Sequence, residues 1–211
     1  MLTALQERVA RILGELPEAQ DFALAGGAAL IARGLIDRPT RDLDFFATSA
    51  VAVERLLPAL RQALSEEGVE VTTIRQAPGF VRLEVTDGRE TSEVDLSHDA
   101  RLRPPEHSPL GSILSAEELA ADKTLALFGR AEARDFLDVD SLVDRFGREQ
   151  LLELAAQKDA GFTSERFAES ISAIDRLQPA DFRGGEATFE RLRQRFHDWR
   201  RELTLEPGDG S

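Results

Sequence analysis

Apolar residues at Leu5, Val9, Ile12 and Leu16 recur at steps of three and four, which predicts an amphipathic helix over residues 2–16, closed by Pro17. Residues 21–25 form a short apolar run suited to a strand. Gly26-Gly27 then opens a second helix over 28–33. Residues 42–47 read as a strand and 51–65 as a helix, with Pro58 expected to split or bend it and Gly68 to stop it. Three more strands follow, over 69–75, 80–86 and 91–96, the last two joined through Asp87-Gly88, a strong hairpin signal. From Ser115 the period changes to that of helices, expected over 115–131, 134–146, 148–158, 164–177 and 186–205. Ser115-Ala-Glu-Glu118 resembles a capping box. The pattern predicts an α+β protein: a mixed sheet of about five strands with flanking helices, followed by a helical half. Its domains are 1–110 and 111–205, joined through the proline-rich stretch 101–112, with a frayed tail over 206–211.

Composition narrows the class. The 211 residues, 42% of them hydrophobic, suffice for one core with a small helical addition. No apolar run is long enough to span a bilayer, since residues 22–31 are interrupted by glycines. The first twelve residues mix charges among apolar positions, unlike a signal peptide. With no cysteine there is no disulfide, thiolate metal site or cysteine nucleophile, and a cytoplasmic protein is expected. A net charge of -13 argues against nonspecific coating of DNA, which depends on phosphate attraction, but it leaves room for a local basic patch.

Candidate chemistry begins with Asp42 and Asp44. On a strand, alternate side chains share a face, so both acids point one way while Leu43 and Phe45 enter the core. Two carboxylates held together repel unless a cation lies between them, and hard oxygen donors favour Mg²⁺ or Mn²⁺. A solvated strand end is the alternative. Gly26-Gly27, between a strand and a helix, offers bare backbone N–H groups as an anion cradle; an ordinary tight turn is its alternative. Asp95, flanked by Val94 and Leu96, is a third acid on a strand, with Glu93 and Asp99 as rivals. Thr40, two residues before Asp42, is expected to face the same site.

Lys123, Arg130 and Arg134 are spaced so that one continuous helix would align them as a basic stripe fit for a triphosphate. Asp135 and Asp138 share a helical face and are placed to orient Lys123 or Arg134, or simply to form a structural ion pair. In the last helix Phe189, Leu192, Phe196 and Trp199 make a core stripe. Arg191, Arg195 and Arg200 are candidates for RNA contact, or for an ordinary solvated face. His98, His107 and His197 show no ligand spacing.

The run Gly26-Gly27-Ala-Ala-Leu30, then Arg38-Pro39-Thr40-Arg41-Asp42-Leu43-Asp44-Phe45-Phe46, resembles the signature of the AbiEii/AbiGii toxin family, part of the DNA polymerase β-like nucleotidyltransferases. A second segment, Lys123 to Arg130 followed by Arg134-Asp135-Phe136-Leu137-Asp138, is similar to the family's later motif. The resemblance implies a nucleotidyltransferase-type sheet. It also implies metal binding by Asp42, Asp44 and Asp95, and nucleotide contacts from Gly26, Gly27, Thr40, Lys123 and Arg130, with Arg134, Asp135 and Asp138 in support. It implies transfer of an NMP from an NTP to an acceptor hydroxyl, at a tRNA 3′ end, by the toxin of a bacterial toxin–antitoxin or phage-defence system. A cognate antitoxin is then a partner, and Thr40 a candidate for phosphorylation. Two alternatives remain at this stage: a small-molecule nucleotidyltransferase of the antibiotic-modifying kind, and a non-catalytic binding module on the same fold.

Overall fold

The computed structural model describes residues 1–205; the tail expected over 206–211 lies outside the described residues. The described residues divide into two compact units, one up to Leu119 and the other from Ala120 onward.

The first unit is built on a mixed sheet. Helix α1 (Ala4–Glu15) starts at Thr3, whose side chain accepts from the Gln6 N–H while the Gln6 side chain accepts from the Thr3 N–H. Strand β1 (Ala23–Ala25) leads into α2 (Gly26–Ala32), then β2 (Asp42–Ala47), α3 (Ala50–Glu66), β3 (Glu70–Ala77), β4 (Phe80–Thr86) and β5 (Thr91–His98). Two short strands, β6 (Glu106–Ser108) and β7 (Gly111–Ile113), complete the unit. The sheet order is β3-β4-β5-β2-β1-β7-β6. Pairs β2–β5 and β1–β7 are parallel, and the other neighbours antiparallel.

The sheet has seven strands among the described residues, where the hydrophobic pattern predicted about five. The additional pair, β6 and β7, lies inside the stretch expected as a linker. Three-residue strands beside prolines carry too little alternation to register as a period of two. Their pairing is set by β1, through Leu24 opposite Ile113. Pro58 does not split α3, which runs unbroken through it. One face of that helix, Val53, Leu56, Leu60 and Leu64, is buried together with Leu5, Val9 and Leu13 of α1 and with Leu43, Phe45, Val81, Leu83, Val94 and Leu96 of the strands. This leaves Asp42, Asp44 and Phe46 on the opposite face of β2.

Helix α4 (Ala116–Gly129) spans the boundary between the units. At its start Ser115 Oγ accepts from the Glu118 N–H at 3.1 Å, the first half of the expected capping box. The Glu118 carboxylate instead accepts from the backbone N–H groups of Leu102 and Arg103, at 2.7 and 2.9 Å, and so ties down the proline-rich stretch. The second unit continues with α5 (Ala133–Phe146), α6 (Arg148–Lys158), α7 (Ser164–Ile171) and α8 (Gly185–Thr204). Helix α7 passes into a tighter 3-10 turn over Ser172–Arg176 instead of running on to 177. The α8 stripe Phe189, Leu192, Phe196 and Trp199 is buried as its spacing predicts. Phe196 meets Phe136 of α5 edge-on at 4.9 Å, and Trp199 meets Phe167 of α7 at 5.1 Å. No helix among the described residues is long and apolar enough to cross a membrane.

Candidate active site

Strand β2 obeys the period of two: Leu43, Phe45 and Ala47 are buried, while Asp42, Asp44 and Phe46 occupy the other face and are half-buried. Parallel pairing with β5 sets Asp42 opposite Glu93 and Asp44 opposite Asp95, so four carboxylates line two adjacent strands. Asp95 is the most enclosed of them, at 8% exposure. On the other side of β2, antiparallel pairing sets Ala25 opposite Asp44, and the chain turns from there into α2.

The Gly26-Gly27 pair earns its place by contact. Gly26 has φ +59°, and a Cβ on it would lie 2.7 Å from the Asp44 carboxylate carbon. A Cβ on Gly27 would lie 2.9 Å from Thr40 Oγ1 and 3.3 Å from the Arg38 guanidinium. Thr40 Oγ1 donates to Asp42 Oδ1 at 2.6 Å, so Thr40 does turn toward the acids. Asp42, Asp44, Asp95, Gly26, Gly27 and Thr40 are thus brought together within one unit.

Sequence patterns missed the residues that hold this arrangement. Gln6 of α1 is buried; its Nε2 donates to the Thr40 carbonyl at 3.1 Å and to Ser92 Oγ at 3.2 Å. Ser92 Oγ in turn donates to the Arg41 carbonyl at 3.0 Å. The segment entering β2 is therefore fixed from a helix and from the neighbouring strand. Sequence carries one hint: Thr3-x-x-Gln6 reads as a capping box, though not as a clamp.

Arg82 of β4 is the second omission. It stands opposite Asp95 in the β4–β5 register and holds that carboxylate with a two-pronged grip, Nε to Oδ1 at 2.8 Å and Nη2 to Oδ2 at 2.6 Å. Glu93 lies 3.4 Å from the same guanidinium. The Arg82 pKa is raised above its usual range, first by the Asp95 hydrogen bond. Burial opposes the rise, and the charges of Asp95, Glu93 and Asp42 reinforce it. Among the described residues no three Asp, Glu or His side chains converge as a ready-made metal cluster, in keeping with the Asp95 oxygens being turned to Arg82.

In the second unit the expected basic stripe does not form. Helix α4 ends at Gly129, Ala131 takes φ +52°, and α5 begins afresh at Ala133, so Lys123, Arg130 and Arg134 do not share one helix. Each has its own acid. Lys123, itself buried, pairs with the fully buried Asp138 at 2.9 Å. Arg130 grips the fully buried Asp135 at 2.8 and 2.7 Å, while Asp135 also accepts from the Glu132 N–H at the start of α5. Arg134 pairs with Glu132 at 3.0 Å. The three α8 arginines separate as well. Arg191 and Arg195 reach the mostly buried Asp140 at 2.7 and 2.9 Å. Arg200 instead lines an open hollow of about 450 Å³ with Asp175, Gln194, His197, Arg201 and Thr204.

A strand with two alternate acids, a neighbouring strand with a third in register, and a glycine turn pressed against them invite comparison with known proteins. A family model described as nucleotidyl transferase AbiEii toxin, type IV toxin–antitoxin system, matches residues 9–209. Among solved structures, JHP933 from Helicobacter pylori aligns at 18% identity over 96% of this chain and 93% of its own, with a TM-score of 0.60. MenT4, a nucleotidyltransferase toxin from Mycobacterium tuberculosis, aligns at 19% identity over 95% of this chain and 83% of its own, also with a TM-score of 0.60. ANT(2″)-Ia, solved with adenylyl-2″-tobramycin, aligns at 16% identity over 76% of this chain and all (100%) of its own, with a TM-score of 0.53. At these identities the structural likeness is one of fold. No curated protein matches the chain. The family match spans nearly the whole molecule and includes both segments that carry the acids and the buried lysine, so the chain belongs to the AbiEii nucleotidyltransferase toxin family and is a nucleotidyltransferase.

Proposed function

We propose that this nucleotidyltransferase moves a nucleoside monophosphate from an NTP to the 3′ end of a tRNA, as the toxin of a bacterial toxin–antitoxin or phage-defence system. The observation that carries the reading is the row Asp42, Asp44 and Asp95 set against the Gly26 turn. The RNA acceptor and the system are supported by family membership, and the RNA further by the Arg200 hollow.

The donor set fits a hard divalent cation, Mg²⁺ or Mn²⁺: all its side-chain ligands would be carboxylate oxygens, and the absence of a Cβ at Gly26 lets the Asp44 carboxylate lie against the backbone. Asp42 and Asp44 would hold the ion, with Asp95 as the third ligand. When bound, it would supply charge to offset the triphosphate and polarise the reacting oxygens. The chain's own residues do the rest. Gly26 and Gly27 would offer backbone N–H groups to phosphate, and Thr40 holds Asp42 by its hydroxyl. By family resemblance Lys123 and Arg130 are the second unit's candidates for contact with phosphate. Asp138 and Asp135 set the orientation of each in turn, while Arg134 braces the start of α5 through Glu132. The acceptor oxygen bonds to the α-phosphorus as the bond to the pyrophosphate oxygen breaks. The hydroxyl proton passes to a carboxylate oxygen of Asp95, which requires the Arg82 grip to open on at least one side.

The test is incubation of purified protein with Mg²⁺, each labelled NTP, and either total tRNA or a panel of small polyols and aminoglycosides. Label on tRNA with wild type and none with Asp44→Ala supports the proposal. Label only on small molecules replaces the RNA acceptor with the rival small-molecule reading. A cognate antitoxin is the proposed partner. Phosphate on Thr40 would break the Thr40–Asp42 hydrogen bond and set negative charge where the triphosphate must lie. Intact-mass analysis of protein co-expressed with its genomic neighbour tests that regulation; silenced activity with an unmodified Thr40 rejects it.

A further inference from the structure

Across β4, β5 and β2, Arg82, Asp95 and Asp44 stand side by side in register. Asp42, Asp44, Glu93 and Asp95 occupy adjoining positions on the two parallel strands, and like charges so placed raise one another's energy unless a cation intervenes. Arg82 supplies that cation from within the chain. It takes both oxygens of Asp95 and lies within ion-pair distance of Glu93. Its neighbour across the β3–β4 register, Arg75, is turned instead over the Phe80 ring at 5.7 Å. The two ends of the Arg82–Asp95 pair differ in exposure: the Asp95 side chain is 11% exposed and that of Arg82 is 40% exposed. The acid is thus fixed in the sheet, while the guanidinium has room toward solvent.

We propose that Arg82 is an exchangeable counter-ion of the carboxylate row, a positioning residue that sets how tightly Asp95 takes a divalent cation. This rests on the reading of Asp42, Asp44 and Asp95 as metal ligands. Arg82 takes one lone pair on each Asp95 oxygen, and its positive charge repels a second cation at the same carboxylate, so a divalent ion bound through Asp95 competes with the Arg82 grip and loosens it. Removing the competitor strengthens metal binding, the reverse of what loss of a merely structural strand contact would do. No covalent change is involved: two cations compete for the charge of one carboxylate.

The experiment is Mn²⁺ titration, by calorimetry and by loss of the free-ion electron paramagnetic resonance signal. It uses wild type, Arg82→Gln, Arg82→Lys, Asp95→Asn, the Arg82→Gln/Asp95→Asn double variant, Asp42→Asn and Asp44→Asn. An opposite charge in contact with a carboxylate shifts its proton affinity by about ten- to a thousandfold, and Arg82→Gln is expected to tighten Mn²⁺ binding by at least about tenfold. Arg82→Lys, which keeps the charge without the fork, falls between wild type and Arg82→Gln, and it carries the test if Arg82→Gln does not fold. The gain disappears in the Asp95→Asn background. Unchanged or weaker binding in the Arg82 variants, or a gain that survives Asp95→Asn, overturns the inference while leaving the metal reading intact. Wild type that binds no Mn²⁺, or binding indifferent to Asp42→Asn and Asp44→Asn, overturns both.

Discussion

The Asp44 carboxylate fills the space that a side chain on Gly26 would need: the glycine is left-handed, at φ +59°, and a Cβ on it would lie 2.7 Å from the carboxylate carbon. Gly26→Ala must both adopt a positive φ, at about 1–2 kcal/mol, and push Asp44 aside. A displacement of about 1 Å in a reacting constellation costs on the order of a hundredfold in rate, so nucleotidyl transfer is expected to fall by about that factor. Thermal melting should move by only a few degrees. Comparison of transfer rate with melting temperature checks this. A variant with wild-type rate would show that Asp44 has no fixed place in the reaction.

Gln6 joins the first helix to the strand bearing the acids, through Thr40 and Ser92. Gln6→Leu removes half of a capping box and leaves the Thr40 carbonyl without its buried donor, for a loss of about 1–3 kcal/mol. Thr3→Ala removes only the cap. In urea denaturation Gln6→Leu should lie below Thr3→Ala in midpoint. It alone should also slow transfer, since it alone frees the segment leading to Asp42.

Lys123 and Asp138 form an ion pair in which the carboxylate is wholly buried. Asp138→Ala strands a buried ammonium and is expected to cost about 3–5 kcal/mol. The Lys123→Met/Asp138→Leu double variant, which removes both charges at similar volume, should recover most of that loss yet remain inactive. Denaturation and transfer assays on the same three proteins separate the stability of the pair from the lysine's proposed part in binding phosphate. Recovered activity in the double variant would remove Lys123 from the reaction.

Arg191 and Arg200 lie on one helix with different surroundings. Arg200→Ala should weaken tRNA binding and reduce the slope of log affinity against log salt by about one, as expected for one lost phosphate contact. Arg191→Ala should leave that slope unchanged and instead destabilise the fold by about 1–3 kcal/mol, because it takes a charged hydrogen bond from the mostly buried Asp140. Filter binding across a salt series, with urea melts alongside, checks both halves.

Much of the site was legible in the chain because its rule is local. Alternation along a strand put Asp42 and Asp44 on one face and Leu43 and Phe45 in the core, and β2 follows it residue by residue. The α8 core stripe was legible for the same reason at helical period. The basic stripe failed because it required one helix across residues 123–134, and a positive φ at Ala131, a residue type with no special liking for it, ends that helix. The break itself was legible, since the helices expected over 115–131 and 134–146 already part there; the stripe was conditional on their being one. The extra strands β6 and β7 were hidden because three residues are too few to show a period.

Sequence by itself determined the family, the pair of acids and their common face, because periodicity and short motifs act within a few residues. Only tertiary structure decided that Asp95 lies beside Asp44, that Arg82 holds Asp95, that Gln6 clamps the entry to β2, and that Lys123, Arg130 and Arg134 are each paired with an acid. These are pairings between residues far apart in the chain or across a turn. They arise from strand order, register and burial, which no local pattern contains.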